Sequence, residues 1–332
     1  MANFYQVKVS NINKETHDSV SISFDIGTQH LKEFNFTPGQ YIVIKANING
    51  DDFRMSYSIC SSKNEILTVG IKKVENGKMS TYINEKLQVG DTVEIQPPQG
   101  NFKLENINPS NTRKFVAFAA GSGITPILSM IKEISINEKN TQFLLFYSNK
   151  TKSDVMFSSQ LDELMSDNII VKFLYSRETA DNDLYHGRIN EQKAKDLLKS
   201  EMPYLNADAF YLCGPEQMIF STKNVLESFG VDNSKIKFEL FTAPVLDKAD
   251  TTNESDVNFE GESKVTVIYD DEEVEFSLSK NGDTILDVAM DNDLDVPFSC
   301  KGAVCCTCRA KVKLGKVCLL YTSDAADDSL RV

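Results

Sequence analysis

The sequence lacks the features of membrane-spanning, secreted and nucleic-acid-binding proteins. No apolar run reaches the roughly 18 residues that a transmembrane helix needs, and the first residues do not have the basic-then-apolar layout of a signal peptide. Only three histidines occur, His17, His30 and His186, and their scatter argues against a histidine-based metal site. The formal net charge of -13 disfavours nucleic acid as a partner. We therefore expect a cytoplasmic protein with no membrane and no nucleic-acid partner.

Cysteine is scarce outside one short segment near the end of the chain. Four of the seven cysteines lie between positions 300 and 308, too close together for an ordinary disulfide framework. Thiols clustered in this way, in a reducing compartment, indicate metal ligation. The same end of the chain is acidic, with 19 Asp and Glu against 9 Lys and Arg in residues 242–332. Such a charge favours a basic docking partner, or serves solubility alone.

The residue pattern changes along the 332 positions, which are enough for two or three domains. Over residues 1–104, short alternating segments separated by turn residues predict an antiparallel β-barrel. Over 112–242, apolar strand-like runs alternate with helical stretches and predict a parallel α/β domain. The polar stretch 243–262 is typical of a linker. A hairpin and a short capped helix are expected in 263–317, ahead of the cysteines.

Two motifs in the first domain could hold a planar cofactor that carries phosphates. Arg54, Tyr57 and Ser58 put an arginine, an aromatic ring and a hydroxyl at the end of one strand. These groups can bind a phosphate, stack on a planar ring and hydrogen-bond to its edge. The stretch from Gly77 to Thr81 opens a helix, whose free N–H groups suit a pyrophosphate. The plainer alternatives are a surface arginine beside a core tyrosine, and a capped helix with no ligand.

Three motifs in the second domain stand at predicted strand ends, where open α/β sheets bind ligands. Gly121 to Pro126 lets a backbone approach phosphates closely, although Pro126 departs from the GxGxxG fingerprint. Cys213-Gly214-Pro215 precedes another helix, and its alternative is an ordinary strand-to-helix turn. Ser176 and Arg177 could hold a ribose 2′-phosphate, which favours NADPH but tolerates NADH, or could be plain surface residues.

These motifs, in this order, resemble the ferredoxin-NADP+ reductase superfamily over residues 3–242. The resemblance implies that Ser58, Cys213 and Glu239 lie at the site of hydride transfer. It implies a FAD site formed by Arg54, Tyr57, Ser58, Ile71, Lys72, Lys78, Met79, Ser80, Thr81 and Phe241. It implies a nicotinamide-nucleotide site formed by Gly121, Gly123, Thr125, Pro126, Cys213, Gly214, Pro215 and Met218, to which we add Ser176 and Arg177.

The spacing Cys300-x4-Cys305-x2-Cys308 matches three of the four ligands of a plant-type [2Fe-2S] cluster. A zinc site would show two CxxC pairs set farther apart, and free thiols are the other alternative. The resemblance implies a β-grasp ferredoxin-like α+β domain. Its fourth ligand is expected about thirty residues after the third, whereas the sequence extends only 24 residues past Cys308. We therefore interpret the domain as truncated, with the fourth ligand missing from this chain, and residues 318–332 as an aberrant tail. We expect Cys306 to be a bystander and Cys318 to be no ligand.

The three predicted modules together suit an electron-transfer reductase. A nicotinamide gives two electrons as a hydride and an iron–sulfur cluster accepts one, so a flavin is needed between them. The resemblance extends to the reductase components of phenylacetyl-CoA epoxidases, which implies NAD(P)H, FAD, a [2Fe-2S] cluster and an oxygenase partner. FMN is disfavoured because the Gly77–Thr81 turn suits a pyrophosphate. The alternatives are a flavin reductase or diaphorase without a cluster, a reductase for another oxygenase or hybrid-cluster protein, and a non-catalytic cysteine-loop redox sensor.

Overall fold

The structure is a computed structural model that describes residues 4–179, 182–241, 262–269, 272–279, 282–292, 294, 296, 298, 308–315 and 330–331. The chain divides into two compact units. Phe4–Phe241 form one of them, and the described residues from 262 onward belong to the other. Within these described ranges, no helix is long and apolar enough to cross a membrane.

Six antiparallel strands at the start of the first unit form the predicted barrel. They are β1 (Tyr5–Thr16), β2 (Ser19–Asp25), β3 (Tyr41–Ile48), β4 (Asp51–Ser58), β5 (Thr68–Lys72) and β6 (Thr92–Ile95), in the order β4-β3-β6-β1-β2-β5. A backbone bridge between Ile59 and Val69 joins the two edges of this sheet. Buried and exposed side chains alternate along β1, as expected for strands with one face in a core. Helix α1 (Lys78–Glu85) packs Met79 and Ile83 into that core.

A five-stranded parallel sheet with helices completes the first unit, as predicted. Its elements are β7 (Lys114–Ala120), α2 (Ile124–Asn137), β8 (Gln142–Asn149), α3 (Ser158–Leu164), β9 (Ile169–Tyr175), α4 (Glu191–Ser200), β10 (Ala209–Gly214), α5 (Glu216–Ser228) and β11 (Ile236–Leu240). The strand order is β11-β10-β7-β8-β9. Strands β8 and β9 lie on one side of β7, and β10 and β11 lie on its other side. The loops after β7 and β10 are therefore neighbours at a topological switch point, where such folds bind ligands.

The barrel and the parallel sheet pack closely against each other. A side-chain carbon added at Gly70 of β5 would lie 2.6 Å from Cγ2 of Thr125 and 2.8 Å from the Phe157 ring. The Ser129 hydroxyl donates to the Ser61 carbonyl at 2.7 Å. Because Gly70 leaves no room for a side chain, the barrel edge and the start of α2 are held in direct contact.

The second unit contains an antiparallel hairpin of β12 (Glu262–Tyr269) and β13 (Glu272–Ser279), followed by α6 (Ile285–Asp291). Thr284 caps α6 by accepting a hydrogen bond from the Asp287 N–H at 3.1 Å. A small core forms around Phe276 and Ala289. Two short segments, β14 (Arg309–Ala310) and β15 (Leu330–Arg331), also pair antiparallel.

The domain boundaries given by the sequence stay predictions. Positions 243–261 of the predicted linker lie outside the described residues, and Glu262 is the first residue of β12. Positions 318–329 of the predicted tail also lie outside them, whereas Leu330 and Arg331 form β15.

Candidate active site

Three predicted flavin-binding residues lie near the end of β4. The Arg54 guanidinium packs over the Phe4 ring at 5.1 Å. Tyr57 is half-buried, and burial raises the pKa of its hydroxyl, which therefore stays protonated at neutral pH. Ser58 is buried at the last position of the strand. This strand end thus combines a cation, an aromatic ring and a hydroxyl, the groups that a planar cofactor with phosphates needs.

The turn into α1 has the local geometry of an anion site. A side-chain carbon at Gly77 would lie 2.6 Å from the Ser80 Oγ, so this close turn requires glycine. The Ser80 Oγ accepts a hydrogen bond from the Val74 N–H at 3.1 Å and donates to the Gly77 carbonyl at 3.3 Å. Lys78 is exposed at the first helical position, and Thr81 follows half-buried. The positive end of α1 and the Lys78 ammonium suit a pyrophosphate, so these residues fit FAD.

Three other predicted flavin residues have side chains directed elsewhere. Ile71 and Met79 are buried in the barrel core, so a cofactor contact there would come from backbone atoms. The Lys72 ammonium lies 3.4 Å from the Asp18 carboxylate in the turn between β1 and β2. Lys72 thus already has an anionic partner within the barrel.

The loops after β7 and β10 meet at the switch point. Gly121 has a φ of 54°, in the left-handed region that glycine adopts without strain. A side-chain carbon at Gly123 would lie 2.1 Å from the Cys213 carbonyl oxygen, and one at Gly214 would lie 3.0 Å from the Ala120 Cβ. Two glycines therefore let the two loops pack closely against each other. The loop leads into α2, with Thr125 and Pro126 in its first turn, and so fits a dinucleotide pyrophosphate.

The three residues predicted at the site of hydride transfer come together in the first unit. The Ser58 hydroxyl, from the barrel, donates to Glu239 Oε2 of β11 at 3.2 Å. Glu239 is also the sheet partner of Cys213 in β10. Burial, aided by the nearby Glu239 charge, raises the pKa of the Cys213 thiol well above its ordinary value. A fully buried neutral thiol is a poor nucleophile, so Cys213 can shape the site but is not suited to covalent chemistry.

Two other predicted residues of the nicotinamide site, and one of the predicted flavin site, lie on or next to α5 and β11. Met218 of α5 is buried, and its Cε would lie 2.7 Å from a side-chain carbon at Gly214. Pro215 precedes α5 as its cap residue. Phe241, directly after β11, is 37% exposed, which leaves part of its ring available to cover a ligand.

Ser176 and Arg177 follow β9 and are joined to the loop after β8. The Ser176 N–H donates to the Asn149 carbonyl at 3.0 Å, and the Arg177 N–H to the Lys150 carbonyl at 2.8 Å. Arg177, Lys150 and Lys152 are all exposed. The Glu178 carboxylate lies among them and accepts the Lys152 N–H at 2.7 Å. These adjoining loops therefore carry three cations and one carboxylate, and the cations are the groups that could pair with a 2′-phosphate.

Only one of the predicted cluster ligands lies in the described part of the chain. Cys308 is 8% exposed, directly before β14. Cys300 and Cys305 lie outside the described residues. Thiolates are the ligands that an iron–sulfur cluster takes, so these three cysteines fit three of the four ligand positions of this group.

Two contacts within the first unit were missed by the sequence motifs. Tyr147, at the carboxyl end of β8, donates its hydroxyl to the Gly121 carbonyl at 3.0 Å. His17, in the turn after β1, lies 3.8 Å from the buried Asp154 carboxylate, which follows β8. Local pattern carried no signal for either contact, because the partners come from distant segments of the chain.

Comparison with known proteins assigns each region to a described domain. An oxidoreductase FAD-binding domain matches residues 6–104, and an oxidoreductase NAD-binding domain matches residues 118–224. A 2Fe-2S iron–sulfur cluster binding domain matches residues 267–331. Fold and site together define a ferredoxin-reductase-type oxidoreductase that uses FAD, NAD(P) and a [2Fe-2S] cluster.

Relatives that match nearly the whole chain identify the class more specifically. The chain is 35% identical to one component of the 1,2-phenylacetyl-CoA epoxidase of Escherichia coli (strain K12), over 99% of the chain and 92% of that protein. It is 27% identical to the ferredoxin reductase component of 3-ketosteroid-9-alpha-monooxygenase of Rhodococcus rhodochrous, over 93% of this chain and 86% of that protein. The FAD/NAD-binding domain of a Vibrio cholerae nitric oxide dioxygenase has a similar fold, with a TM-score of 0.60 and 23% sequence identity. The match covers 71% of this chain and 98% of that domain. The chain belongs to the family of oxygenase reductases that includes this phenylacetyl-CoA epoxidase component.

Proposed function

We propose that this chain transfers electrons from NADPH, through FAD and a [2Fe-2S] cluster, to the oxygenase component of a phenylacetyl-CoA epoxidase in the cytoplasm. The observation that carries the proposal is the hydrogen bond between Ser58 and Glu239. It joins the strand end proposed for the flavin to the sheet proposed for the nicotinamide. Hydride transfer needs the two rings in contact, and this hydrogen bond supports a meeting of the two proposed half-sites at this point.

Each residue group has a proposed task in that reaction. Arg54, Tyr57 and the turn at Gly77 would bind and orient FAD, and the loops at Gly121 and Cys213 would bind the nicotinamide nucleotide. The chemistry that bound FAD would supply is the uptake of two electrons as a hydride and their release one at a time. Ser58 would hold a hydrogen bond at the ring edge, while the buried Cys213 side chain excludes water beside it.

The preference for NADPH rests on charge. Arg177, Lys150 and Lys152 are exposed on adjoining loops, and a ribose 2′-phosphate would pair with such cations. The Michaelis constants for NADPH and NADH test this preference, and a lower constant for NADH would contradict it.

One reconstitution experiment tests the main proposal. The purified protein is expected to show flavin absorption near 450 nm together with broad iron–sulfur absorption. Mixed with a phenylacetyl-CoA epoxidase oxygenase component, it should support NADPH-dependent epoxidation of phenylacetyl-CoA. Flavin absorption alone, with reduction of small acceptors only, would indicate a diaphorase, and absence of both chromophores would favour the redox sensor. Turnover with a different oxygenase but not this one would overturn the assigned substrate.

A further inference from the structure

Tyr147 places a phenol behind the loop proposed for the nicotinamide nucleotide. It is one of the largest fully buried side chains, and its Oη donates to the Gly121 carbonyl at 3.0 Å. Burial raises the pKa of this phenol well above its ordinary value, and this outweighs interactions with the Asn149 side chain and the Met156 backbone, which act in the opposite direction. Tyr147 therefore stays a neutral hydrogen-bond donor throughout the working pH range.

The carbonyl that Tyr147 holds lies at the turn of the loop. Gly121 has a positive φ of 54°, and its carbonyl also accepts the Ile124 N–H at the start of α2. The next carbonyl, of Ser122, accepts the Thr125 hydroxyl at 2.9 Å. Both carbonyls before α2 thus point at donors inside the protein. This matters because a carbonyl oxygen repels a phosphate, whereas N–H groups at a helix start attract it.

We propose that Tyr147 is a positioning residue for the nicotinamide nucleotide. Its hydroxyl fixes the direction of the Gly121 carbonyl, so that the loop from Gly121 to Gly123 can present N–H groups to the pyrophosphate. This role, which rests on the proposed function, goes beyond the loop motif because Tyr147 lies 26 positions away and would act through the Gly121 carbonyl.

A purely structural role for Tyr147 would predict a different result, and the same sheet provides a control. Tyr211 of β10 is also buried, and its ring makes edge contacts with Phe102 and Phe115 in the core. The change Tyr211→Phe therefore removes a buried phenol of the same domain without touching the loop. Any general effect of removing a buried hydroxyl should occur in both variants.

The test is steady-state reduction of ferricyanide by Tyr147→Phe, Tyr211→Phe and the parent protein. For Tyr147→Phe we expect KM for NADPH to rise about threefold to tenfold, as loss of the hydrogen bond to the Gly121 carbonyl implies, with kcat nearly unchanged. Reduced nicotinamide mononucleotide has no pyrophosphate bridge, so its KM should stay at the parent value. Tyr211→Phe should match the parent with both nucleotides, and FAD content should be equal in all three.

Two outcomes would overturn the role of Tyr147 alone. One is an unchanged KM for NADPH in Tyr147→Phe, and the other is an equal rise with the dinucleotide and the mononucleotide. If the parent protein oxidises neither NADPH nor NADH, the proposed function fails and the role of Tyr147 fails with it.

Discussion

The hydrogen bond from Ser58 to Glu239 links residues 181 positions apart in the chain. Glu239 adjoins Cys213 in the sheet, so a hydroxyl, a carboxylate and a buried thiol share one small volume. The three side chains differ in what they can do: the hydroxyl can donate, the carboxylate can accept, and the neutral thiol chiefly fills space. Of the three, Ser58 is the group best suited to hydrogen-bond the edge of a flavin ring.

Replacement of Ser58 by alanine should slow flavin reduction without expelling FAD. The change removes the hydrogen bond to Glu239 and the one proposed to the flavin ring. Loss of the bond to the ring, worth about 1 kcal/mol, corresponds to a rate about fivefold lower. Stopped-flow bleaching of the flavin band by NADPH measures this rate. Ser23→Ala is the matched control, because the Ser23 hydroxyl pairs with that of Thr68 at 2.8 Å elsewhere on the barrel. An unchanged rate in Ser58→Ala, or equal slowing in both variants, contradicts the role.

Local pattern was enough to predict which residues stand at strand ends, but not which of them touch. The run KFVAFAA followed by Gly121 predicted a buried strand and a turn, and β7 has those bounds. Nothing in that pattern indicated that Tyr147 would bond to Gly121, because the contact depends on the register between β7 and β8. Side-chain partners across strands are set by tertiary packing, which residue spacing within one segment does not encode.

At the scale of elements, the segment between the barrel and β7 is fixed by one buried ion pair. Glu138, just after α2, is fully buried and accepts hydrogen bonds from Arg113 Nη2 at 2.6 Å and Nε at 3.1 Å. The Asn108 N–H and the Asn111 amide also donate to it, at 2.9 and 2.8 Å. A single carboxylate therefore organises the connection that determines how the barrel meets the sheet.

Acid should weaken this connection in a defined pH range. Burial alone would raise the pKa of Glu138, but hydrogen bonds from Arg113, Asn108, Asn111 and Thr141 outweigh it and lower the pKa below 4.5. The pKa of Glu138 is lower in the folded protein than its ordinary value of 4.5. The stabilisation by ionised Glu138 is therefore present in full above pH 4.5 and is lost as pH falls through the folded-state pKa. We expect Glu138→Ala to cost about 3 kcal/mol of unfolding free energy at pH 7, because it leaves Arg113 without its buried anion.

Urea unfolding of Glu138→Ala and the parent, at pH 7 and below pH 4, measures this effect. The two proteins should differ most at pH 7 and become more alike in acid. Glu105→Gln is the control, since the exposed Glu105 carboxylate pairs with Lys103 at 3.1 Å on the surface and should change stability by less than about 0.5 kcal/mol. A difference that grows as pH falls would contradict the assigned sign.

The order of strands and helices was predictable where the apolar period was clear. Alternation along β1 and continuous burial along β7 follow from one-sided and two-sided packing respectively. The ion pair of Glu138 was not predictable, because a charged residue after a helix reads as solvent-exposed until its partner is known. The contact between His17 and Asp154 was missed for the same reason.

At the scale of the whole molecule, a reductase of this class needs its cluster as well as its nucleotide sites. Cys300, Cys305 and Cys308 have plant-type spacing, and Cys308 is buried ahead of β14. Cys306, which follows Cys305, is not at a ligand position of that spacing. A predicted ligand, Cys308, and a predicted bystander, Cys306, thus lie within one short segment. Their replacement is expected to have opposite effects on iron content, and both changes lie outside the first unit.

Replacement of Cys308 by serine should lower the iron and acid-labile sulfide content per chain by at least about half, since loss of a thiolate ligand destabilises the cluster. Cys306→Ser should retain the parent content, because that residue is not expected to bind iron. Both variants should keep FAD and reduce ferricyanide with NADPH, as the flavin and nucleotide sites lie in the first unit, whereas Cys308→Ser should fail to reduce an oxygenase component. If Cys306→Ser loses iron and Cys308→Ser does not, the ligand assignment is wrong. If neither change alters the iron content, the cysteine segment is not the cluster site.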